Sequence, residues 1–345
     1  MVVESQPSPH RSATKRPGVY YAVTADGSEL PVVDVTNPAF APLHDEAQMA
    51  RLLALFTRFE RWRARIPKSI MGVMLGWAAR RSRLARAFSH ASEGVVSGMT
   101  LYAAKLGPGM LDNRDWSVID RRIAATPPSW LSRARLEDMA RLLAEGLAPL
   151  LTAHPGRPLH LFNIAGGPAA DSWNALLVLH QETPARLGGR AIFIHVLDLD
   201  EEGPAFGARA FAALRGEGAP LRDLDLHFRR VAYDWRDAAE LRRAFDERSA
   251  ADAVVAVSSE GGLFEYGSDE EIVANLEAIR DAAPIDSVVV GSVTRAEGPL
   301  EFLRQFTVRP RTLAAFRDLA SRADWSIARV IERPLSYNVR LARRR

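Results

Sequence analysis

The chain has 345 residues, 47% of them hydrophobic and 25% charged, with a formal net charge of +3 and no cysteine. That length allows one large domain or two smaller ones with a sizeable core, and the balance is that of a soluble globular protein. Disulfide staples and thiolate metal sites are excluded.

In chain order, residues 1–18 read as a disordered tail, polar and rich in Ser, Pro and Arg. The tail lacks the apolar stretch of a secretory signal, so a cytoplasmic location is expected. The stretch "GVYYAVTADGSELPVVDVTNPAF" alternates around an Asp-Gly turn and predicts a small hairpin. From His44 to about His154 the pattern is helical. "DEAQMARLLALFTRFERWRARI" places apolar residues at steps of three and four, with acids early and arginines late, as the helix dipole favours. "SRARLEDMARLLAEGLAPLLTAH" predicts a second helix, with Ser132 as its N-cap. Between Arg51 and His90 stand ten Lys or Arg and one acid, Glu60. Such a surface could meet nucleic acid, anionic lipid or an acidic substrate, or be no more than a solvated helix face. "IMGVMLGWAA" is too short to cross a bilayer, and no membrane span is expected.

After Pro155 short β-branched runs alternate with helical ones. "LHLFNI", "AIFIHVLDL", "DLHFRRVAY", "AVVAVSS" and "SVVVGSV" predict parallel strands with helices on both faces. "WSIARVIER" and "SYNVRLAR" are joined by a few residues around "RPL". That is too few for a parallel crossover, so this pair predicts a hairpin. The expected fold is α/β: a mostly parallel, seven-stranded, doubly wound sheet with a C-terminal antiparallel hairpin, preceded by a helical N-terminal region.

"NIAGGPAADS", Asn163 to Ser172, joins the first of these strands to its helix. In open parallel sheets, ligands sit beyond the carboxyl ends of the strands, where the strand order reverses. Gly166 and Gly167 let backbone approach a ligand, and the helix start behind them offers free N–H groups. Taken alone, the turn reads equally as a tight connection that lets the helix pack. Its companions sharpen it. The second strand ends in "VLDLD", where Asp198 is placed to accept from two ribose hydroxyls and Asp200 to cap the next helix. The third ends in "AYDW", where Asp234 suits an exocyclic amine and Trp235 offers a flat face for a purine, or else packs into a core.

The fourth strand leads into "SSEGGLFEYGSDEEIVANL". Glu260 is the candidate to orient or deprotonate an acceptor, with Tyr266 in support and Phe264 as an apolar contact. The alternative is that Glu260 anchors the loop, Ser268 caps the next helix and Phe264 joins the core. His160 and His195 fall inside strands and read as sheet residues. No group of His, Asp and Glu has metal-ligand spacing, so no metal is expected.

The order of elements and the turn "NIAGGPAAD" resemble the class I (Rossmann-like, seven-stranded) S-adenosylmethionine-dependent methyltransferases. In that family the turn commonly reads D/E-x-G-x-G-x-G. The resemblance covers roughly 131–345, which would be the methyltransferase domain, with 19–130 as a mainly helical lid or dimerisation region. It implies S-adenosyl-L-methionine as cofactor. Ala165, Gly166 and Gly167 would lie along its methionine part, Asp198 and its neighbour Leu199 at the ribose, and Asp234 and Trp235 at the adenine. Ser258 and Ser259 would lie near the transferred methyl group. Asn163 stands where the family carries an acid, and Ala165 and Ala169 where it carries glycines. An Asn cannot pair with an ammonium as a carboxylate does, so Asp171 is the candidate for that. Arg135, like Arg133, heads the helix leading into the sheet and is a candidate for the cofactor carboxylate. Met99, Tyr102 and Lys105, in "SGMTLYAAKLGP", are candidates to line the acceptor pocket.

NAD is the competing cofactor. Its pyrophosphate needs G-x-G-x-x-G, and Pro168 stands where that close approach is required. The expected function is methyl transfer to an O, N or C atom of a small molecule, in the setting of bacterial secondary metabolism. The alternatives are a nucleic-acid-modifying methyltransferase holding phosphates on the Arg51–Arg86 surface, and a non-catalytic S-adenosylmethionine-binding protein. No RNA-binding module is visible, so nucleic acid is not the expected partner.

Overall fold

The computed structural model describes residues 15–41, 45–63, 65–91, 96–111, 115–248, 252–297 and 306–344. Most of the tail expected over 1–18 lies outside the described residues. Strands β1 (Tyr21–Val23) and β2 (Glu29–Pro31) pair antiparallel as the expected hairpin. The helical region comprises α1 (Glu46–Arg63), α2 (Lys68–Arg81), α3 (Arg83–Ser89), α4 (Gly98–Leu106), α5 (Val118–Ala124) and α6 (Pro127–Ala153). Here one expectation is corrected: Ser132 lies inside α6 and does not cap it. The helix starts at Pro127 and Pro128, where a missing N–H costs nothing and the fixed φ suits the first turn.

The alternating half follows: β3 (Leu159–Ile164), α7 (Ala170–Glu182), β4 (Ala191–Leu197), α8 (Glu202–Ala213), β5 (Asp225–Val231) and α9 (Ala238–Arg248). Then come β6 (Val254–Ser259), the single turn α10 (Leu263–Tyr266), α11 (Asp269–Ala282), β7 (Val288–Thr294), α12 (Leu313–Arg322), β8 (Trp325–Glu332) and β9 (Ser336–Arg343).

The seven-stranded sheet has the order β5-β4-β3-β6-β7-β9-β8. Strands β3 to β7 run parallel, and β9 pairs antiparallel with both β7 and β8. The fold is therefore the mostly parallel, doubly wound α/β sheet with a terminal hairpin. Every residue of β3, β6 and β7 is buried, as strands covered on both faces require. One apolar core joins Leu136, Met139 and Leu147 of α6 to Leu161, Val290 and Trp173, and takes in the β1–β2 hairpin. A second, with Phe245, Ile272, Phe316 and Trp325, covers the opposite face. The order reverses at β3, whose neighbours are β4 and β6. The turn after β3 thus stands where such sheets place their ligands.

Candidate functional site

The turn from β3 to α7 carries left-handed backbone at Ala165, Gly167 and Ala169, with φ of 53°, 57° and 60°. These are the three positions where the resembled family has glycine. Two alanines keep that backbone here at a cost of roughly 1–2 kcal/mol each. Asn163 organises the turn. Its amide donates to Asp171 Oδ1 at 2.7 Å and Ser258 Oγ at 3.1 Å, and its oxygen accepts from Gly166 N–H at 3.1 Å. A carboxylate could not donate in this way. A Cβ at position 166 would lie 2.2 Å from the Asn163 oxygen, so only glycine fits.

Asp171 is buried in the first turn of α7. Its Oδ1 accepts from Asn163 and from Ser172 N–H, while its buried Oδ2 has no hydrogen-bond partner among the described residues. Burial, and after it the nearby charge of Glu260, pushes the Asp171 carboxyl up to about 6. Asp198, at the end of β4, reaches across to accept from Gly167 N–H at 3.1 Å and from Asp200 N–H at 2.9 Å. Burial raises its pKa. Asp200 accepts from the N–H groups of Glu202 and Gly203 and so takes the capping role foreseen for it. Leu199 is exposed beside them.

Asp234 follows β5 and pairs with Arg236 at 2.8 Å, and that hydrogen bonding holds its carboxyl below the usual range. Trp235 is half-buried against the second core, with its carbonyl accepting from Asn275 at 2.7 Å. Ser258 and Ser259 are buried at the end of β6. Ser259 Oγ donates to Ile164 O and accepts from Leu263 N–H, each at 3.0 Å, tying β6 to β3.

Behind this edge lies a buried ionic cluster. Lys105 of α4 donates to Glu260, and Arg135 of α6 donates to Glu260 Oε1 at 2.7 Å and to Glu265 Oε1 at 2.6 Å. Ser292 Oγ of β7 donates to the same Glu265 oxygen at 3.2 Å. Burial alone would raise the Glu260 pKa, but the charges of Lys105 and Arg135 overcome it and leave it lowered. Burial dominates at Lys105, whose pKa falls. Arg135 is also buried, yet Glu265 and Glu260 hold its pKa above the ordinary value. The role expected of Glu260 is corrected accordingly: both of its oxygens are engaged and its carboxyl is a weak base, so it anchors α4 and α6 to the loop after β6.

Three of the expected lining residues are corrected as well. Phe264 packs into the second core, edge-on to Phe316 at 5.3 Å, and lies so close over Gly291 that a Cβ there would be 1.9 Å from its ring. The hydroxyl of Tyr102 donates to Pro31 O at 2.8 Å and accepts from Val33 N–H at 2.9 Å, pinning α4 to the hairpin. Met99 is likewise buried in the main core. Arg133 is buried, donates to Lys105 O and stacks on the Trp130 ring at 5.0 Å.

A pocket of about 410 Å³ lies between the helical region, α10 and the adjoining ends of β7 and β9. Its walls are mainly apolar, with Phe56 of α1, Phe88 of α3, Leu101 of α4 and Leu131 of α6. Its polar lining includes the Glu60–Arg63 pair, Arg135, Glu265, Tyr266 and several Ser and Thr hydroxyls, Ser132 and Thr294 among them. Burial, then the charge of Glu265, pushes the Tyr266 hydroxyl up to about 12, so it stays a neutral hydrogen-bonding group. Of the residues singled out in the sequence, Tyr266 and Arg135 reach this pocket. Phe56 and Phe88 were missed because a helical apolar stripe does not say whether it faces core or cavity. Ser132 carried a signal, a polar residue early in a helix, that was assigned to capping. Among the described residues no group of three or more His, Asp or Glu could hold a metal ion, and no helix is long and apolar enough to cross a membrane.

No family model and no curated protein matches the chain. Among solved structures, a possible exported protein from Bordetella parapertussis is 15% identical over 87% of this chain and 96% of its own, with a TM-score of 0.52. Looser likenesses include the pyocyanin biosynthetic protein PhzM, 16% identical over 58% of this chain with a TM-score of 0.36. Another is NcsB1, an O-methyltransferase from neocarzinostatin biosynthesis in complex with S-adenosylmethionine and 2-hydroxy-5-methyl naphthoic acid, 18% identical over 59% of this chain with a TM-score of 0.36. The chain spans about half the length of these two, 54% and 56%. Such distant likenesses concern the fold alone. With its sheet order and terminal hairpin, that fold is the seven-stranded class I methyltransferase fold the resemblance implied.

Proposed function

We propose that the protein is an S-adenosylmethionine-dependent methyltransferase that methylates an O, N or C atom of an apolar small molecule. The observation that carries this reading is Asp171 Oδ2, a buried carboxylate oxygen without a partner immediately behind the glycine turn. An uncompensated buried acceptor is costly, and a ligand ammonium would satisfy it. This fits the cofactor even though Asn163 stands where the family carries its acid: the carboxylate has moved from the strand to the first turn of the helix.

When bound, S-adenosylmethionine supplies an electrophilic methyl group on a sulfonium. Asp171 would hold the ammonium, and the Ala165–Gly167 backbone would lie along the methionine part. Asp198 would accept from the ribose hydroxyls. Asp234 and Trp235 would flank the adenine, and Ser258 and Ser259 would close the floor at the end of β6. In-line displacement depends above all on placement, so the apolar pocket and its few polar groups do the main work on the acceptor. The neutral Tyr266 hydroxyl orients the acceptor by hydrogen bonding. Helices α1 to α5 act as the lid that keeps water from the pocket.

The test is calorimetric titration of the purified chain with S-adenosylmethionine and with its demethylated product. Binding, with a rise in melting temperature, is expected for both, and Asp198→Ala should weaken it more than a substitution at Glu260 does. A folded protein that binds neither would overturn the reading.

A further inference from the structure

Helices α1 and α2 expose apolar side chains in organised stripes. Leu55, Phe59 and Trp62 run down α1, and Ile70, Val73, Met74 and Trp77 run down α2, with exposures from 49% at Met74 to 74% at Val73. The steps of three and four put each set on one face of its helix. Elsewhere among the described residues, large exposed apolar side chains occur singly, at Val118, Leu199 and Ile285, which is ordinary for a surface. From Ile70 to Ala79, α2 carries only apolar residues and glycine, a composition that a helix normally buries.

The flanks of this face are basic. Arg51, Arg58, Arg61 and Arg65 on one side, and Arg80 and Arg81 on the other, are exposed. The only acid between Arg51 and His90, Glu60, is buried and paired with Arg63 at 2.5 Å. The face therefore shows uncompensated positive charge around an apolar centre with two tryptophans.

We propose that the α1–α2 face docks the protein on an anionic lipid surface. Apolar stripes with Trp and Phe, bordered by Lys and Arg, are what an interfacial helix pair presents to a bilayer, and each basic residue near anionic headgroups adds to the attraction. The apolar run of α2 is too short to span, so both helices lie in the plane of the interface. A second copy of the chain fits less well. A two-fold contact sets the same patch against itself, and its six exposed arginines would meet their own copies.

The face also leads into the pocket. Phe59 and Leu75 are exposed on it and at the same time line the 410 Å³ cavity. An apolar molecule dissolved in the bilayer thus enters without crossing water. The docking stands independently of the proposed methyl transfer; only the delivery of an acceptor rests on that reading.

The test is cosedimentation of the full chain with sucrose-loaded vesicles of phosphatidylcholine alone and of equimolar phosphatidylcholine and phosphatidylglycerol. Binding to the anionic vesicles only, weakening with salt, is expected. The double variants Arg80→Ala/Arg81→Ala and Val73→Ser/Trp77→Ser should each lose about tenfold or more of vesicle affinity. Their melting temperature and their titration with S-adenosylmethionine should stay as in the parent, which separates a failure of docking from a failure of the proposed function. Absence of binding by the folded chain, or equal binding by the variants, would overturn the proposal. So would light scattering that finds a dimer which the Val73→Ser/Trp77→Ser variant dissociates, since the face would then belong to a second copy.

Discussion

The ionic cluster behind the glycine turn and the α1–α2 face border the same pocket and are built on opposite rules. In the cluster, charges are buried and almost every one is answered: Lys105 and Arg135 by Glu260, Arg135 again by Glu265. On the face, apolar groups are exposed and six arginines stand exposed around them. The first is completed within the chain, save for one oxygen of Asp171. The second is completed only by something outside it. Substitutions in the cluster should therefore show in stability, and substitutions on the face should show in binding alone.

The largest expected effect is at Glu260. Its replacement by Ala leaves two buried cations without their shared partner and should cost about 3–5 kcal/mol in urea denaturation. A loss below about 1 kcal/mol would break the comparison, because the cluster would then behave like a surface pair.

Asp171 should act in the opposite sense. Its folded pKa of about 6 lies above the ordinary value of 3.8, so the folded state holds the proton more tightly than the unfolded chain. Its unfavourable contribution is absent below about pH 4 and grows as pH rises towards 6, to about 3 kcal/mol. Asp171→Asn should remove this part of the pH profile without loss of stability near neutrality. It should also weaken S-adenosylmethionine binding by about 10–100-fold, the worth of one charge-assisted hydrogen bond. In the parent protein the affinity should fall as pH drops below 6 and the carboxylate is protonated. Glu260, with its pKa lowered, contributes stability above the ordinary carboxyl range and loses it as pH falls through that lowered value. A pH-stability curve for the parent and the Asn variant separates the two signs.

Smaller effects sharpen the contrast. Ala165→Gly relieves a left-handed φ of 53° but adds freedom to the unfolded chain, so it should raise stability by less than about 1 kcal/mol. Val73→Ser on the exposed face should move stability by no more than about 0.5 kcal/mol. A larger loss there would mean that the face is already packed within the folded chain.

Much of the sheet was legible before any coordinates. β-Branched runs such as "VVAVSS" and "VVVGS" permit few conformations, and the short link around Pro334 admits only a hairpin. The turn was legible as well, because Gly166 and Gly167 between a strand and a helix have few other uses. The partners of individual side chains were not. Nothing local says that Tyr102 would spend its hydroxyl on Pro31 and Val33, or that Phe264 would lie over Gly291. Glu260 read as a candidate base because its two cationic partners come from α4 and α6, far away in sequence. The start of α6 was misplaced because Ser132 is a good cap by type and Pro127 a better start by geometry.

By itself, the sequence determined the alternation of strands and helices, the terminal hairpin, the glycine turn and the basic apolar segment. Each of these depends on local conformational preference or on periodicity, which neighbouring residues settle among themselves. Tertiary structure alone decided which acids are free and which are spent. Charge pairing and burial depend on distances between elements brought together from across the chain. Only there does Glu260 become an anchor, Asp171 keep an open oxygen, and α1 and α2 keep their apolar faces uncovered.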